Sequence, residues 1–456
     1  MFGRRRFLGG SIGVGAAGVL GGIELTGCGS DANTKEWVVG SFLSLTGGDA
    51  KFGIDTKEGI ELAVEQINGG GGVKGKNIKV LFEDDKSKPD EVTNKVQQLI
   101  DRDKVIALLG EVASSRSKPG GIIACQRKIP MISPSSTHVD LTKIGEWVFR
   151  VCFIDDLQGS VGAEFCVKSL GKKNVGLMFA EDDSYSNGLA GEFKRALASL
   201  GGTIVLEKAF TQNEMNFSTF ITEMKAKSPE VIYAPLYYKQ MLQLGRQAKA
   251  EGIPPSMFVG GDGWSGDEDL LKELDGAFFT DHYAPDLPWE PSKKFVAAYE
   301  AKHSRKPSSL AAMGYDAAMV LADAIKRSSE DNPKGFRDAI AATKDYPGAS
   351  GVITINSDRN ADKPIVVVEI KSGTTVYKAV HGPNADKLTG GGTPPAPSAS
   401  ATSPAPASSS ASTPASSASA TPAPSSAPSA ASSASSGPAS SASPKASASP
   451  KAGKGK

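Results

Sequence analysis

Residues 105–117, which read VIALLGEVASSRS, form the segment that decides the fold. The first five of these residues are continuously apolar, as in a strand that is buried on both faces of a parallel sheet. A short turn of small and polar residues follows, and a helical pattern extends over 117–127. A buried strand followed at once by a helix is the repeating unit of α/β proteins, so this segment predicts a parallel sheet covered by helices.

The same alternation continues on both sides of this segment. Strand patterns at 38–42 and 78–82 and helix patterns at 55–68 and 89–102 precede it, and a strand pattern at 129–133 follows it. A second series consists of helices at 158–170, 188–200, 216–227 and 239–251 and strands at 175–179, 203–207, 230–235 and 257–260. Two successive series predict an α/β fold with two doubly wound αβα lobes.

The elements after residue 282 are too few for a third lobe. They are helices at 291–303, 308–328 and 333–343 and strands at 351–355, 364–370 and 374–380. We expect them to return to the first two lobes, so that hinge crossings join the lobes into a clamshell. The predicted limits are 36–151 and 283–354 for lobe 1, and 152–282 and 355–382 for lobe 2.

The N-terminus resembles a twin-arginine signal peptide of a lipoprotein, assigned to residues 1–27. Arg4, Arg5 and Arg6 precede a weakly apolar, glycine-rich run, and Leu25-Thr26-Gly27-Cys28 has the form of a lipobox. The resemblance implies an exported protein in which Cys28 becomes the lipidated first residue. A GxGxxG pattern at 13–18 lies inside this segment and follows no strand, so it predicts no dinucleotide site.

The C-terminal residues 393–456 have the composition of a disordered tail. Ser, Ala and Pro account for 53 of these 64 residues, too little apolar surface to offset the entropy of ordering. Without the three Arg and one Glu of the signal and the four Lys of the tail, the remaining chain has 44 basic and 49 acidic residues. This slightly acidic balance argues against a nucleic-acid partner, which needs a concentrated basic face.

The cysteine spacings of the core predict no metal site, and the core has no catalytic motif that would predict an enzyme. Beyond Cys28 there are three thiols, Cys125, Cys152 and Cys166, at spacings that match no zinc pattern, and a Cys152–Cys166 bridge is left open. The core, residues 28–392, also has no GxSxG, HExxH, P-loop or CxxC motif. We therefore expect a binding protein without catalytic residues, metal or cofactor.

Polar and aromatic residues follow several predicted strands, which is where doubly wound sheets bind ligands. Ser114 follows strand 105–109 at a helix N-terminus, whose free N–H groups suit a carboxylate. Asp262 follows strand 257–260 between glycines and suits a cation. Locally, Ser114 is equally well interpreted as a helix cap and Asp262 as a turn residue. With the tyrosines at other strand ends, the set matches a zwitterion that carries an apolar group.

Several motifs resemble those of periplasmic binding proteins of the branched-chain amino acid type. They are Phe52-Gly53, Ala63–Asn68 with Gly70–Gly72, Glu83–Asp85, Ser114-Ser115, Met131–Thr137, Tyr185–Gly188 and Gly245–Ala248. The resemblance covers about residues 36–380. It implies the type I clamshell fold and the role of an extracytoplasmic component of an ABC importer. The implied partners are an amino acid, a membrane permease and the lipid anchor, and we expect a monomer.

The resemblance also implies the roles of the polar site residues. Ser114 would donate its hydroxyl to the ligand α-carboxylate. The carbonyl of Ser135 and the hydroxyl of Thr137 would accept from the α-ammonium, and Asp262 would hold that ammonium from the second lobe. Many relatives have Glu in place of Asp262, so the reach of this acid is one methylene shorter here.

The aromatic residues of the implied site are Phe52, Tyr185 and Tyr237. Tyr185 and Tyr237 would close over the ligand from lobe 2, while Phe52, often Tyr in relatives, would form a wall of the side-chain pocket. The alternatives are a sensor of amino acids or amides built on the same fold, or a binder of urea, an amide or an aromatic acid. Asp262 favours a ligand with an ammonium, since a ligand with a carboxylate alone would leave a buried acid unpaired.

Overall fold

Two sheets organise residues 36–389, the part of the chain that the computed structural model describes. The first sheet has five parallel strands, and their order is β2-β1-β3-β4-β5. The strands are β1 Glu36–Leu43, β2 Asn77–Asp84, β3 Leu108–Gly110, β4 Met131–Ser133 and β5 Val148–Arg150. The predicted signal peptide 1–27, the lipidation site Cys28 and the tail 393–456 lie outside the described residues.

The second sheet has seven strands. Its parallel part comprises β6 Asn174–Ala180, β7 Thr203–Phe210, β8 Val231–Ala234, β9 Phe258–Gly260 and β10 Phe278–Asp281. Three short strands, β11 Tyr346–Gly348, β12 Gly351–Ile355 and β13 Ala361–Asp362, then form a separate antiparallel sheet. β14 Ile365–Lys371 and β15 Thr374–His381 return to the second sheet as antiparallel strands, giving the order β15-β14-β10-β9-β8-β6-β7.

Helices connect and cover the strands. They are α1 Ala50–Gly69, α2 Pro89–Gln97, α3 Ser114–Arg127, α4 Asp155–Glu164, α5 Ser184–Ser199, α6 Ser218–Lys227, α7 Tyr238–Ala250, α8 Glu268–Glu273, α9 Glu290–His303, α10 Ser309–Arg327, α11 Pro333–Ala341 and α12 Ala385–Leu388. The predicted α/β class is confirmed. The lobe limits remain predictions, although β14 and β15 join the same sheet as β6–β10.

The principal differences from the predicted elements are at helix starts. α1 begins at Ala50 rather than 55, α3 at Ser114 rather than 117, and α5 at Ser184 rather than 188. In α5 the cause is a cap that the apolar periodicity does not register: Asp183 Oδ1 accepts from the backbone N–H of Ser186 at 2.9 Å. Each earlier start places a predicted site residue inside the first turn of a helix.

The backbones of α1 and α10 are in direct contact. A Cβ on Gly59 would lie 1.9 Å from the carbonyl oxygen of Ala311, and a Cβ on Gly314 would lie 2.3 Å from that of Thr56. Two glycines therefore let the helix backbones touch. The contact holds the N-terminal turn of α10 against the N-terminal half of α1.

The remaining sequence expectations can be placed on this fold. Cys125, Cys152 and Cys166 are free thiols, so the Cys152–Cys166 bridge that the sequence left open is not formed. Within residues 36–389 no helix combines the length and the apolar character needed to cross a bilayer.

Candidate functional site

All seven predicted site residues line a single cavity. They are Phe52, Ser114, Ser135, Thr137, Tyr185, Tyr237 and Asp262, and Val112, Gly263 and Leu310 complete the lining. The empty volume among these residues, including the mouth, is about 240 Å³.

Ser114 lies at one pole of the cavity, where α3 begins. Ala113 occupies the N-cap position and makes no side-chain cap bond, so Ser114 is not the cap of its helix. The Ser114 hydroxyl instead accepts from the backbone N–H of His138 at 3.2 Å. Ser114 is the first residue of α3, and the partial positive charge of a helix N-terminus favours an anion.

A buried arginine fixes the loop that carries Ser135 and Thr137. Arg150, at the end of β5, donates from Nη1 to the carbonyl of Ser136 at 2.7 Å and from Nη2 to that of His138 at 2.9 Å. The hydroxyl of Thr137 is buried and has no partner among the described residues. Arg150 therefore holds two carbonyl groups of this loop in place, and the Thr137 hydroxyl beside the Asp155 carboxyl remains able to accept from a ligand.

Asp262 lies at the other pole, in a short turn that follows β9. Its Oδ1 accepts from Nε2 of Gln158 at 2.8 Å, and its Oδ2 lies 3.1 Å from Nε2 of His282. Burial lowers the pKa of His282 below its usual range even though the Asp262 carboxylate acts in the opposite direction. A neutral His282 must carry its proton on Nε2 to donate to Asp262. Two side chains from other elements thus fix the orientation of this carboxylate.

Asp155 is a second carboxylate beside this pole, and the sequence did not single it out. It is the first residue of α4, is 1% exposed, and neither of its carboxylate oxygens has a hydrogen-bond partner among the described residues. Its pKa is raised well above the usual value, first by burial and then by the nearby charge of Asp262, against the opposing effects of Thr137 and Arg150. A cation between Asp155 and Asp262 would satisfy both acids.

Aromatic rings form the walls between the two poles. Tyr185 and Tyr237 stack with centroids 5.2 Å apart and planes 5° from parallel. Phe52 meets Tyr237 edge-on at 5.3 Å and Tyr238 at 5.1 Å. The hydroxyl of Tyr185 accepts from the backbone N–H of Gly263 at 3.0 Å, which ties this wall to the turn of Asp262.

A buried ionic network lies behind Ser114. Arg116 is 2% exposed, donates from Nη1 to Asp49 at 2.8 Å, and has Nε 3.2 Å from Oε2 of Glu111. Burial and the charge of Glu111 together raise the pKa of Asp85 to about 7. The role of Arg116 in this network was not predicted from the sequence. The sequence feature that could have identified Arg116 is its place in the first turn of a helix that follows a buried strand.

The arrangement brings together groups that can bind a small charged ligand. Within residues 36–389 no three His, Cys, Asp or Glu side chains are placed to hold a metal ion. Strand ends of both sheets converge on one small cavity that has an anion-binding pole, a cation-binding pole and aromatic walls. This combination defines a ligand-binding protein of the type I periplasmic class.

The sequence profile of the family described as "Periplasmic binding protein" matches residues 36–375. The chain therefore belongs to the periplasmic binding protein family, as its motifs suggested. One relative is the Leu/Ile/Val-binding protein homolog 3 of Brucella melitensis, which is 30% identical over 333 residues, covering 72% of this chain and 89% of the relative.

Solved structures agree with this family assignment. A leucine binding protein, LivK, from Thermotoga maritima has a TM-score of 0.72 and 34% identity, over 76% of this chain and 99% of that one. The branched-chain amino acid transporter substrate binding protein LivJ of Streptococcus pneumoniae, in complex with isoleucine, has a TM-score of 0.70 and 29% identity, over 76% and 98%. The predicted resemblance and the type I clamshell fold are confirmed.

Proposed function

We propose that this protein is the substrate-binding component of an ABC importer and that it captures an apolar α-amino acid. The observation that carries the proposal is the two-pole cavity, in which Ser114 at the start of α3 and the Asp262 carboxylate line one space between aromatic walls, with the buried Asp155 near Asp262. An α-amino acid carries its carboxylate and its ammonium on the same carbon atom. Only a ligand with both charges satisfies both poles.

Each charged group of the ligand has several partners in this proposal. The α-carboxylate accepts from the hydroxyl of Ser114 and from N–H groups at the start of α3. The α-ammonium donates to Asp262, Asp155 and the hydroxyl of Thr137, together with the carbonyl of Ser135. Hydrogen bonds to charged groups contribute roughly 1.5–3 kcal/mol each. Three or four of them give about 8 kcal/mol, which corresponds to micromolar affinity.

The walls of the cavity favour an aliphatic side chain. Phe52, Val112 and Leu310 are apolar and buried, and each lines the cavity. The relatives support the same ligand class, since they are described as binding leucine, isoleucine and valine. We therefore propose leucine, isoleucine or valine as the ligand, in preference to urea, an amide or an aromatic acid.

The ligand would hold the two lobes closed. Tyr185, Tyr237 and Asp262 follow strands of the second sheet, whereas Phe52 and Ser114 follow strands of the first. A ligand that touches both groups binds the closed form more tightly than the open form, so it shifts the population toward closure. Release to a membrane permease then requires only that the lobes open again.

The cellular setting of the proposal rests on the sequence and the family. Residues 1–27 would direct export through the twin-arginine route, and Cys28 would attach the mature protein to a membrane through its lipid. The binding domain would act as a monomer that passes its ligand to an ABC permease.

A thermal-shift screen of the purified protein tests the ligand class. The screen covers the common amino acids, urea, acetamide and benzoate. We expect the largest rise in melting temperature with leucine, isoleucine or valine, because a ligand that binds only the folded state stabilises it. A rise with benzoate or urea and with no amino acid would overturn the proposal.

A further inference from the structure

A larger crevice shares one side chain with the ligand cavity, since Tyr237 lines both spaces. The crevice has an empty volume of about 950 Å³, including its opening to solvent. Its first side comes from segments 47–49 and 86–88, which follow β1 and β2 of the first sheet. Its second side comes from segments 212–215 and 237–240, which follow β7 and β8 of the second sheet. The crevice therefore lies between strand ends of both sheets, where α/β folds bind ligands.

The side chains that line the crevice carry an excess of positive charge. Lys86 and Lys88 line the first side and Lys239 lines the second, and all three are exposed to solvent. Lys86 is paired with Glu91 at 3.2 Å, whereas Lys88 and Lys239 form no ion pair within residues 36–389. Two ammonium groups on opposite sides of one crevice are therefore left without a counter-charge.

The other polar groups of the crevice do not supply that counter-charge. Asp49 is the only acid among the described residues that line the crevice, and its carboxylate already accepts from Nη1 of Arg116 at 2.8 Å. Gln240 is 3% exposed, and its Nε2 lies 3.5 Å from the carbonyl oxygen of Thr211, which is too long for a strong hydrogen bond. The Gln240 amide is thus a further donor that an oxygen atom could use.

The two sides of the crevice are each held by their own hydrogen bonds. On the first side the Ser87 hydroxyl donates to the carbonyl of Thr46 at 2.9 Å and accepts from the backbone N–H of Asp49 at 3.0 Å. On the second side Nε2 of Gln247 donates to the carbonyl of Met215 at 2.7 Å. The sides do not need a bound ion to take their shape.

The closed arrangement brings the two sides together. The Tyr238 hydroxyl of the second side donates to the carbonyl of Gly48 on the first side at 3.0 Å. Lys88 and Lys239 repel each other more strongly as the sides approach, because the energy of two like charges rises as their separation falls. An anion between them replaces this repulsion with two charge-assisted hydrogen bonds.

We propose that the crevice binds a small oxyanion, a phosphate or a carboxylate, between Lys88 and Lys239, and that this anion strengthens amino-acid binding by favouring the closed form. The coupling rests on the proposed amino-acid function, whereas binding of the anion itself does not. Thermodynamic linkage requires leucine to strengthen anion binding by the same factor. The anion affinity should be about millimolar, because pairs that involve exposed lysines each contribute little.

The experiment measures leucine affinity by calorimetry with and without inorganic phosphate or malonate, with chloride keeping the ionic strength at about 0.15 M. We expect at least one of the two anions to raise leucine affinity by about fivefold or more in the natural protein. A response to phosphate alone identifies a phosphate site, and a response to malonate alone identifies a carboxylate site. K88Q and K239Q should lose the response. Without added anion they should bind leucine at least as tightly as the natural protein, since the repulsion is removed.

K249Q is the matched control, because Lys249 lies on the same helix as Lys239, is 58% exposed and does not line the crevice. We expect K249Q to respond to the anions as the natural protein does. Leucine affinity that rises with neither anion, or that rises equally in K88Q and K239Q, would overturn the inference even though leucine binds.

A readout without leucine separates this inference from the proposed function. The effective anion alone should raise the melting temperature of the natural protein and of K249Q, since it binds the folded state, but not that of K88Q or K239Q. If leucine does not bind at all, the proposed function fails. The melting temperatures then decide whether the anion site exists, and equal shifts in all four proteins would refute it.

Discussion

The imidazole Nε2 of His282 lies 3.1 Å from Oδ2 of Asp262, and both side chains are buried. His282 directly follows β10, and its ring packs on that of Phe153 with centroids 4.0 Å apart. Phe153 lies in the segment between β5 and α4, where the chain passes from the first sheet to the second. The carboxylate proposed to hold the ligand ammonium is therefore connected to a crossing between the sheets.

Replacement of His282 tests this connection. In H282Q the amide nitrogen can donate to Asp262 as Nε2 does, so we expect leucine affinity within about threefold of the natural protein. H282A leaves Asp262 without this donor, and we expect a loss of about 1–2 kcal/mol, or roughly tenfold. Calorimetry with leucine and with 4-methylpentanoate, which lacks the ammonium, separates a loss of ammonium binding from a general structural effect of H282A. A purely structural effect of H282A would weaken both ligands equally.

Removal of the Asp262 carboxylate should have a larger effect. We expect D262A to weaken leucine binding by about two orders of magnitude or more, since a buried charge loses its partner. D269A is the matched control, because Asp269 is 67% exposed and lies a few residues further along the chain. Unchanged calorimetric affinity in D262A would contradict the role assigned to Asp262.

Leucine affinity should rise with pH through the carboxyl of Asp155. Burial raises its pKa well above the usual value, so the free protein retains this proton in a range where an ordinary Asp has lost it. A bound ammonium lowers that pKa, so binding releases a proton and strengthens as pH rises from the pKa of Asp155 in the bound protein to its raised pKa in the free protein. Calorimetry in buffers of different ionisation enthalpy measures the released proton.

The stability of the ligand-free protein should change in the opposite direction. In the same window the folded state binds more protons at Asp155 than the unfolded state does, so this group lowers the free energy of unfolding as pH rises. D155N removes the titration, and we expect its leucine affinity to be independent of pH in this window. If D155N keeps the pH dependence of the natural protein, Asp155 is not its source.

Tyr238 should slow ligand release by joining the two sides of the cavity through a hydrogen bond. Its hydroxyl donates to the backbone carbonyl of Gly48 at 3.0 Å, and its ring packs against Phe52. Y238F keeps the ring and removes the hydrogen bond, whose net contribution is about 0.5–1.5 kcal/mol. We expect leucine to dissociate about two- to tenfold faster in stopped-flow measurements. An unchanged dissociation rate would show that the hydrogen bond of Tyr238 to Gly48 does not slow ligand release.

The alternation of strands and helices could be predicted because apolar periodicity records burial. Helix starts could not, since they depend on backbone caps such as Asp183, which periodicity does not register. The strand β5 was not among the predicted strands, and without it Asp155 did not stand out as a residue that follows a strand. The same rule that found Ser114 and Asp262 would then have found Asp155.

The contacts that support the site are set by tertiary structure. Gln158, His282 and Asp262 come from three separate elements and meet only when the second sheet is assembled. Leu310 reaches the cavity from the start of a helix, through the contact of α1 with α10. No local pattern marks such residues, whereas strand ends and family motifs together identified seven residues that line the cavity.

The most direct test of the central claim compares calorimetric titrations of the natural protein with L-leucine and with 4-methylpentanoate. The two ligands share the carboxylate and the side chain and differ in the ammonium. With three or four charge-assisted hydrogen bonds we predict micromolar affinity for leucine, and binding at least about 100-fold weaker for 4-methylpentanoate. Equal affinity for the two ligands, or no binding of leucine, would contradict the two-pole site.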